Sequence, residues 1–157
     1  MFESRFFGRE PIKKVDCPFC GALVERPKEL SSRRFGEMPV GSCSCGAVYA
    51  CDETGHNLGA AMIEALVFGC DMDWDLAWGL ESEEDYLQEI VENYDFHNHL
   101  IVSAGVYEGR KTGALYFIRL HKDVQEVTAY GVQKKLDKAP PASSYTSSKQ
   151  KRKKTCH

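Results

Sequence analysis

Apolar residues recur at helical spacing in the middle of the chain. The segment 58–70 is apolar on almost every side, with Glu64 as its one charged residue, and this pattern predicts a helix at the centre of the fold. A shorter helix is predicted over 73–80, where Trp74 and Trp78 stand four residues apart and share a face. We expect both helices to contribute to one core.

Two further helices are predicted from signals at their N-termini. Ser82 precedes three acidic residues, and apolar residues follow at helical spacing, so we expect a helix over 82–94. Asp123, with a glutamate three positions on, forms a capping pair for a helix predicted over 123–136. The residues expected to line its buried face are Val124, Val127, Gly131 and Leu136.

A β-hairpin is predicted between these last two helices. Segments 100–108 and 112–121 flank a three-residue turn. Pairing position 108 with position 112 places the apolar residues of both strands on one face. With a further strand at 47–51 and three or four helices packed on a small, mainly antiparallel sheet, the predicted fold class is α+β (small α/β).

Charge is segregated along the chain. The 157 residues include 20 Lys/Arg and 23 Asp/Glu, and residues 35–109 hold fifteen of the acidic residues and none of the basic ones. Residues 1–137 therefore carry a formal charge of −9, from 14 basic and 23 acidic side chains. Because such a body repels phosphate backbones, broad nucleic-acid binding by residues 1–137 is not expected.

The C-terminal residues have the opposite charge. Residues 138–148 have the composition of a linker, which predicts disorder. A basic run follows and indicates binding to nucleic acid or to an acidic partner, although a solvated tail that aids solubility or folds back on the acidic body is equally consistent with it. The basic residues are Lys149, Lys151, Arg152, Lys153 and Lys154.

Hydropathy and cysteine usage predict the compartment. No segment reaches the roughly 18 uncharged apolar residues that a membrane span needs. The first ten residues carry charge and lack an apolar run, so no secretory signal is expected. Seven cysteines, an odd number, make a disulfide framework a poor explanation. These features predict an intracellular, reducing location in the cytoplasm.

Four of the seven cysteines have the spacing of metal ligands. They occur as Cys17-Pro-Phe-Cys20-Gly21 and Cys43-Ser-Cys45-Gly46. Two thiolates this close on a tight turn can point at one ion, and the glycine lets the backbone curl under the sulfur and offer N–H groups to it. Four sulfurs suit tetrahedral Zn²⁺, and a closed site of this kind is expected to be structural.

The two motifs resemble the zinc-ribbon group over residues of about 15–50. This resemblance implies two metal-binding knuckles at the tips of short β-hairpins, in a module that occurs in polymerase subunits, ribosomal proteins, chaperones and adaptors. The second pair departs from the pattern because it is Cys-x-Cys, which raises Cys51 or His56 as a substitute ligand. We predict a single compact domain over 1–137, with a ribbon-like lobe over 12–51 and a helical and hairpin body over 52–137.

Other uses of the cysteines stay open at the level of sequence. Iron in a rubredoxin-like site needs similar spacing. A redox dithiol of Cys17 and Cys20 lacks the expected βαβ context. Cys51 and Cys70 are expected in the core as small apolar residues.

Three histidines are brought together by the predicted hairpin register. His99 falls opposite His121, and His97 lies two positions along on the same face. Converging imidazoles could bind a second metal or act as a catalytic base. Polar residues at exposed strand ends would explain the same pattern without a function.

Three classes of function follow from these features. The leading hypothesis is a non-enzymatic zinc-binding protein that acts as a protein-interaction adaptor through its acidic surface or the ribbon. The alternative is a nucleic-acid-binding accessory protein that uses the ribbon and the basic tail. The third is a metal-dependent enzyme built on His97, His99 and His121. Outside this third hypothesis, no residue is assigned a catalytic role.

Overall fold

The structure is a computed structural model that describes residues 12–30, 38–103 and 105–138. The basic run at 149–154 and almost all of the predicted tail lie outside the described residues. The elements in chain order are β1 Lys13–Lys14, β2 Val40–Ser42, β3 Ala47–Asp52, α1 Leu58–Gly69, α2 Trp74–Trp78, β4 Tyr86–Asp95, β5 Leu100–Ile101, β6 Val106–Tyr107, β7 Arg110–Lys111, β8 Gly113–Leu120 and α3 Lys122–Lys138.

Six of these strands form one antiparallel sheet in the order β1-β5-β4-β8-β3-β2. The strand β8 is central, and seven of its eight residues are buried. It is apolar at nearly every position, as expected for a strand that is covered on both faces. The predicted α+β class is confirmed in its mixture of helices with an antiparallel sheet.

Each face of the sheet carries its own core. On one face, α1 and α3 pack against the sheet and bury residues such as Phe68, Ile118 and Val132. On the other face, the N-terminal segment covers Tyr49 and Phe117. The helices predicted at 58–70, 73–80 and 123–136 are confirmed as α1, α2 and α3. None of the described helices has the length and apolar character that a membrane span requires.

The helix predicted over 82–94 is wrong. Residues 83–85 form a turn, and β4 begins at Tyr86 and pairs with β8 along most of its length. The capping signals close this turn instead of a helix: the Glu81 N–H donates to the Asp85 carboxylate at 2.8 Å, and Gln88 donates to the Ser82 hydroxyl at 3.0 Å. The central strand β8 requires a partner on each side, and this tertiary requirement overrides the local helical pattern.

The predicted hairpin register is also wrong. The strand β8 pairs with β3 and β4, while β5 pairs with β4 and β1. The hairpin that does form here joins β6 to β7 through Glu108 and Gly109, whose φ angles of 52° and 79° suit a two-residue turn. An almost wholly apolar β8 could not remain in a two-stranded hairpin with one face in water.

The buried face of α3 differs in part from the prediction. Its buried residues are Thr128, Val132 and Leu136, whereas Val127 is 76% exposed. The predicted boundary between lobe and body falls within β3, whose six residues pair with β8. That division of the chain into a lobe and a body stays a prediction.

Candidate metal centre

The first pair of cysteines lies on a tight turn between Asp16 and Leu23, which form an isolated antiparallel bridge. The Cys17 N–H donates to the Ala22 carbonyl, and the Gly21 N–H donates to the Cys17 carbonyl, both at 2.8 Å. Gly21 adopts a φ of 82°, which favours glycine. The turn directs the Phe19 N–H to the Cys17 sulfur at 3.4 Å and the Ala22 N–H to the Cys20 sulfur.

The second pair occupies the turn between β2 and β3 and has the same hydrogen-bonding plan. The Cys43 N–H donates to the Ala47 carbonyl at 2.8 Å, and the Gly46 N–H donates to the Cys43 carbonyl at 2.9 Å. Gly46 has a φ of 99°. The Ala47 N–H reaches the Cys45 sulfur as the Ala22 N–H reaches Cys20. The turn with one residue fewer therefore presents its two sulfurs in an equivalent way.

The four sulfurs converge on one point. All of them lie within 4.8 Å of one another. Across the two turns, the Cys17 and Cys45 sulfurs are 3.8 Å apart and the Cys20 and Cys43 sulfurs are 3.5 Å apart. A tetrahedron with metal–sulfur arms of about 2.3 Å has edges of about 3.8 Å. The sulfurs therefore stand at the spacing that one tetrahedral ion requires and can hold a metal ion.

Burial and hydrogen bonds shift the pKa values of the thiols in different directions. Burial raises the pKa of Cys17 to about 12 and also raises the pKa of Cys45. The pKa of the exposed Cys20 is lowered, first by the Ala22 N–H and then by the neighbouring Cys43 sulfur. An ion bound here would displace the thiol protons, so its affinity for the four sulfurs would rise with pH.

The helix α3 holds the second turn from outside. The side-chain amide of Gln125 lies against Gly46, where a Cβ would overlap it. The same amide donates to the Leu120 carbonyl at 2.6 Å, at the end of the central strand. The lack of a side chain at Gly46 thus serves both the turn geometry and the close approach of α3.

The two predicted substitute ligands lie elsewhere. Among the described residues, the four-cysteine cluster includes neither Cys51 nor His56. Cys51 is buried within β3, and burial raises its pKa. His56 lies in the exposed loop before α1. Cys70 is buried at the end of α1, where burial raises its pKa to about 11.

The three histidines are separated by the true register. His97 and His99 lie in the turn between β4 and β5, beyond the C-terminal end of β4. His121 follows β8, whose last residue Leu120 pairs with Tyr86 at the opposite end of β4. Ten strand residues separate these ends, which is on the order of 30 Å. The predicted convergence of His97, His99 and His121 is therefore wrong, because it depended on the wrong hairpin.

His99 instead has a structural position that the sequence did not indicate. Its Nδ1 is 2.7 Å from the Tyr94 hydroxyl, and its Nε2 is 2.8 Å from the Val24 carbonyl. A neutral imidazole that donates from Nε2 and accepts at Nδ1 satisfies both contacts. Burial lowers the pKa of His99 and so favours this neutral form. These contacts join Val24, which follows the turn that carries Cys17 and Cys20, to Tyr94 of the sheet.

A groove of about 400 Å³ opens beside Cys45. Its walls include the acidic turn 83–85 on one side and the residues Arg119, His121 and Gln125 on the other. Charges of both signs line it, so it has no clear preference for an anion or a cation.

Comparison of the chain with protein families, with curated proteins and with solved structures finds no match to any of them.

Proposed function

We propose that Cys17, Cys20, Cys43 and Cys45 bind one Zn²⁺ ion that has a structural role. The observation that carries this proposal is the spacing of the four sulfurs, at 3.5 and 3.8 Å across the two turns. Four thiolates complete the tetrahedral shell of Zn²⁺, so the ion keeps no position for a substrate or a reactive water. The ion would cross-link two turns that are more than twenty residues apart in the chain.

Metal analysis of the purified protein tests this assignment. We expect one zinc per chain and a colourless protein, since iron in a four-sulfur site absorbs visible light. Cys20→Ser and Cys45→Ser are expected to lose most of the zinc. The matched controls are Cys51→Ala and His56→Ala, which alter the two substitute candidates and are expected to keep one zinc per chain.

Two results would contradict the zinc assignment. The first is a metal-free protein whose folded state is unaffected by added zinc or by a chelator. The second is retention of one zinc per chain by Cys20→Ser together with its loss from Cys51→Ala or His56→Ala, which would mean that a substitute ligand completes the site.

We further propose that the protein acts as an interaction adaptor for a protein partner. Exposed apolar side chains lie among exposed carboxylates on its surface, and exposed apolar surface with a polar rim is a feature of protein interaction sites. Leu87 and Ile90 are 47% and 42% exposed and flank Glu89. The surface that was predicted as an acidic helix is thus an acidic strand, and it keeps the acidic character on which the adaptor hypothesis was based.

Capture of partners with the full chain separates the adaptor from the nucleic-acid alternative. We expect a stoichiometric protein partner that remains bound after nuclease treatment and after deletion of residues 138–157. Under the alternative, retention on RNA or DNA is lost on this deletion and falls steeply with salt. Nuclease-sensitive capture alone would contradict the adaptor role.

A further inference from the structure

The outer edge of β4 is open over most of its length. On one side, β4 pairs with β8 from Tyr86 to Tyr94. On the other side, it pairs with β5 only at Tyr94 and Asp95, and Val102 donates to the Asn93 carbonyl just before them. Within the described ranges, no strand pairs with residues 87–92 on this side, and we call these six residues the open edge.

Hydrogen bonds at the start of β4 establish which main-chain groups face outward. The His121 N–H donates to the Asp85 carbonyl at 2.8 Å, so positions 85 and 121 form a hydrogen-bonded pair. The inward-bonded positions of an antiparallel pair alternate, so residues 87, 89 and 91 bond to β8. The Tyr86 carbonyl agrees with this assignment, because it accepts from Glu83, outside the β4–β8 pairing. Gln88, Ile90 and Glu92 therefore point their N–H and C=O groups outward.

The open edge lacks two of the features that protect strand edges. Such features include charged side chains, lysine above all, proline and bulges; residues 87–92 contain neither lysine nor proline, and their charged residues are Glu89 and Glu92. The one bulge lies between Glu92 and Tyr94, where the open edge ends. Two apolar side chains, Leu87 and Ile90, remain exposed on opposite faces of the strand. Such an edge is a template for an additional strand.

The charge around the open edge selects the partner. Glu89 and Glu92 are exposed within it, and Glu83 and Glu84 are exposed in the turn just before it. The one cation opposite these six residues in the β8 register is Arg119, which pairs with Leu87. A second copy of β4 would bring further glutamates and no cation, because residues 35–109 contain no Lys or Arg. Like charges that face each other across strands are destabilising.

We propose that the open edge binds an extended cationic segment of a partner protein as a seventh strand. Main-chain hydrogen bonds from Gln88, Ile90 and Glu92 hold the added strand, and Glu89 and Glu92 attract its lysine or arginine side chains. Apolar residues of the segment cover Leu87 and Ile90. This proposal rests on the adaptor role proposed above and names the chemistry of its partner, but it does not depend on the zinc assignment.

A peptide of five Lys-Val repeats, blocked at both ends, is a suitable probe for the full chain as purified. We expect it to bind, and we expect the amides of Gln88, Ile90 and Glu92 to exchange slowly with solvent only in its presence. A Glu-Val peptide of the same length is expected to bind at least tenfold more weakly. A Lys-Val peptide that is N-methylated at every residue is expected to lose binding, because it cannot donate along either edge.

Matched variants of the protein locate the contact. Ile90→Pro removes an outward N–H and leaves the bonds to β8 in place, so we expect binding to fall at least tenfold while the variant stays folded. Ile90→Ala keeps this N–H and is expected to lose less. Glu89→Gln with Glu92→Gln is expected to weaken binding and its salt dependence, whereas Asp123→Asn with Glu126→Gln removes two charges on α3 and is expected to change neither.

Several outcomes would overturn this proposal. They are peptide binding that survives both N-methylation and a folded Ile90→Pro, slow exchange of the three outward amides in the free protein, or dimers of the chain that Ile90→Pro abolishes. A captured partner that still binds Ile90→Pro would also overturn it while leaving the adaptor role intact. Failure to capture any protein partner would overturn the adaptor role instead, whatever the peptide does.

Discussion

The two glycines that follow the cysteine pairs offer a direct test of how the four-cysteine site is built. Gly21 and Gly46 both have positive φ angles, 82° and 99°, and both follow the second cysteine of a pair. They differ in what surrounds them: a Cβ at Gly21 would meet nothing within 4 Å, whereas a Cβ at Gly46 would overlap the Gln125 amide. Replacement of each by alanine therefore separates backbone strain from steric overlap.

The expected costs follow from these two environments. Gly21→Ala has to force a left-handed conformation, which costs about 1–2 kcal/mol of the free energy of unfolding. Gly46→Ala carries a similar or larger backbone cost, about 1–3 kcal/mol. It also displaces Gln125 and breaks the 2.6 Å hydrogen bond to the Leu120 carbonyl, which adds about 1 kcal/mol. We expect Gly46→Ala to be the more destabilising variant by at least this last amount.

Urea unfolding of the zinc-saturated protein, followed by tryptophan fluorescence, measures both costs. In a Gln125→Ala background, the part of the Gly46→Ala cost that comes from displacing Gln125 should disappear. The cost of Gly21→Ala should not change in this background. Gly59→Ala is the control, because this α1 glycine has open space and alanine there should stabilise by about 0.5–1 kcal/mol. Equal costs for Gly21→Ala and Gly46→Ala in both backgrounds would refute the role assigned to Gln125.

Two further predictions concern acid stability and the contact between α3 and Asp71, which follows α1. Because burial lowers the pKa of His99, the unfolded chain takes up a proton at this residue more readily than the folded chain does. The stability that neutral His99 contributes is therefore complete above the ordinary pKa of about 6.5 and is lost as the pH falls below it. His99→Gln should flatten the dependence of the urea midpoint on pH between pH 7 and 5, and an unchanged dependence would argue against this role of His99. Gly131→Ala should destabilise, although alanine normally stabilises a helix interior by up to about 1 kcal/mol, because the added Cβ overlaps the carboxylate of Asp71, which binds Lys135. Asp71→Ala should restore the gain, and thermal unfolding of the single and double variants measures both effects.

The convergence of the four cysteines could be predicted from sequence because its determinants are local. Each cysteine pair and its following glycine form a turn whose hydrogen bonds close within six residues. The missing residue in Cys43-Ser-Cys45 changed little, because the Ala47 N–H reaches the Cys45 sulfur as the Ala22 N–H reaches the Cys20 sulfur. Local turn chemistry therefore identified which four sulfurs meet without knowledge of the sheet.

The strand β4 could not be predicted in the same way. Tyr86, Ile90 and Tyr94 are spaced by four residues, and this spacing places residues on one face of a helix and also on one face of a strand. The bulge between Glu92 and Tyr94 then moves Tyr94 to the opposite core from Tyr86. Neither the bulge nor the need of β8 for a second partner is visible in the local pattern. The predicted hairpin register that brought the three histidines together was wrong for the same reason.

The two halves of the four-cysteine site are anchored very differently, and this difference is consistent with the structural role proposed for the ion. The second turn belongs to β2 and β3, and β3 pairs with β8 along six residues. The first turn reaches the sheet through the two-residue strand β1 and through contacts such as the Tyr49 hydroxyl on the Glu25 carbonyl at 2.6 Å and the His99 ring on the Val24 carbonyl. The same segment packs Val15 and Val24 into the core beside Tyr49, so side-chain contacts carry much of its attachment. Under the proposed zinc assignment, two metal–sulfur bonds from this segment, matched by two from a turn fixed in the central sheet, would add to the attachment that the two-residue strand β1 gives.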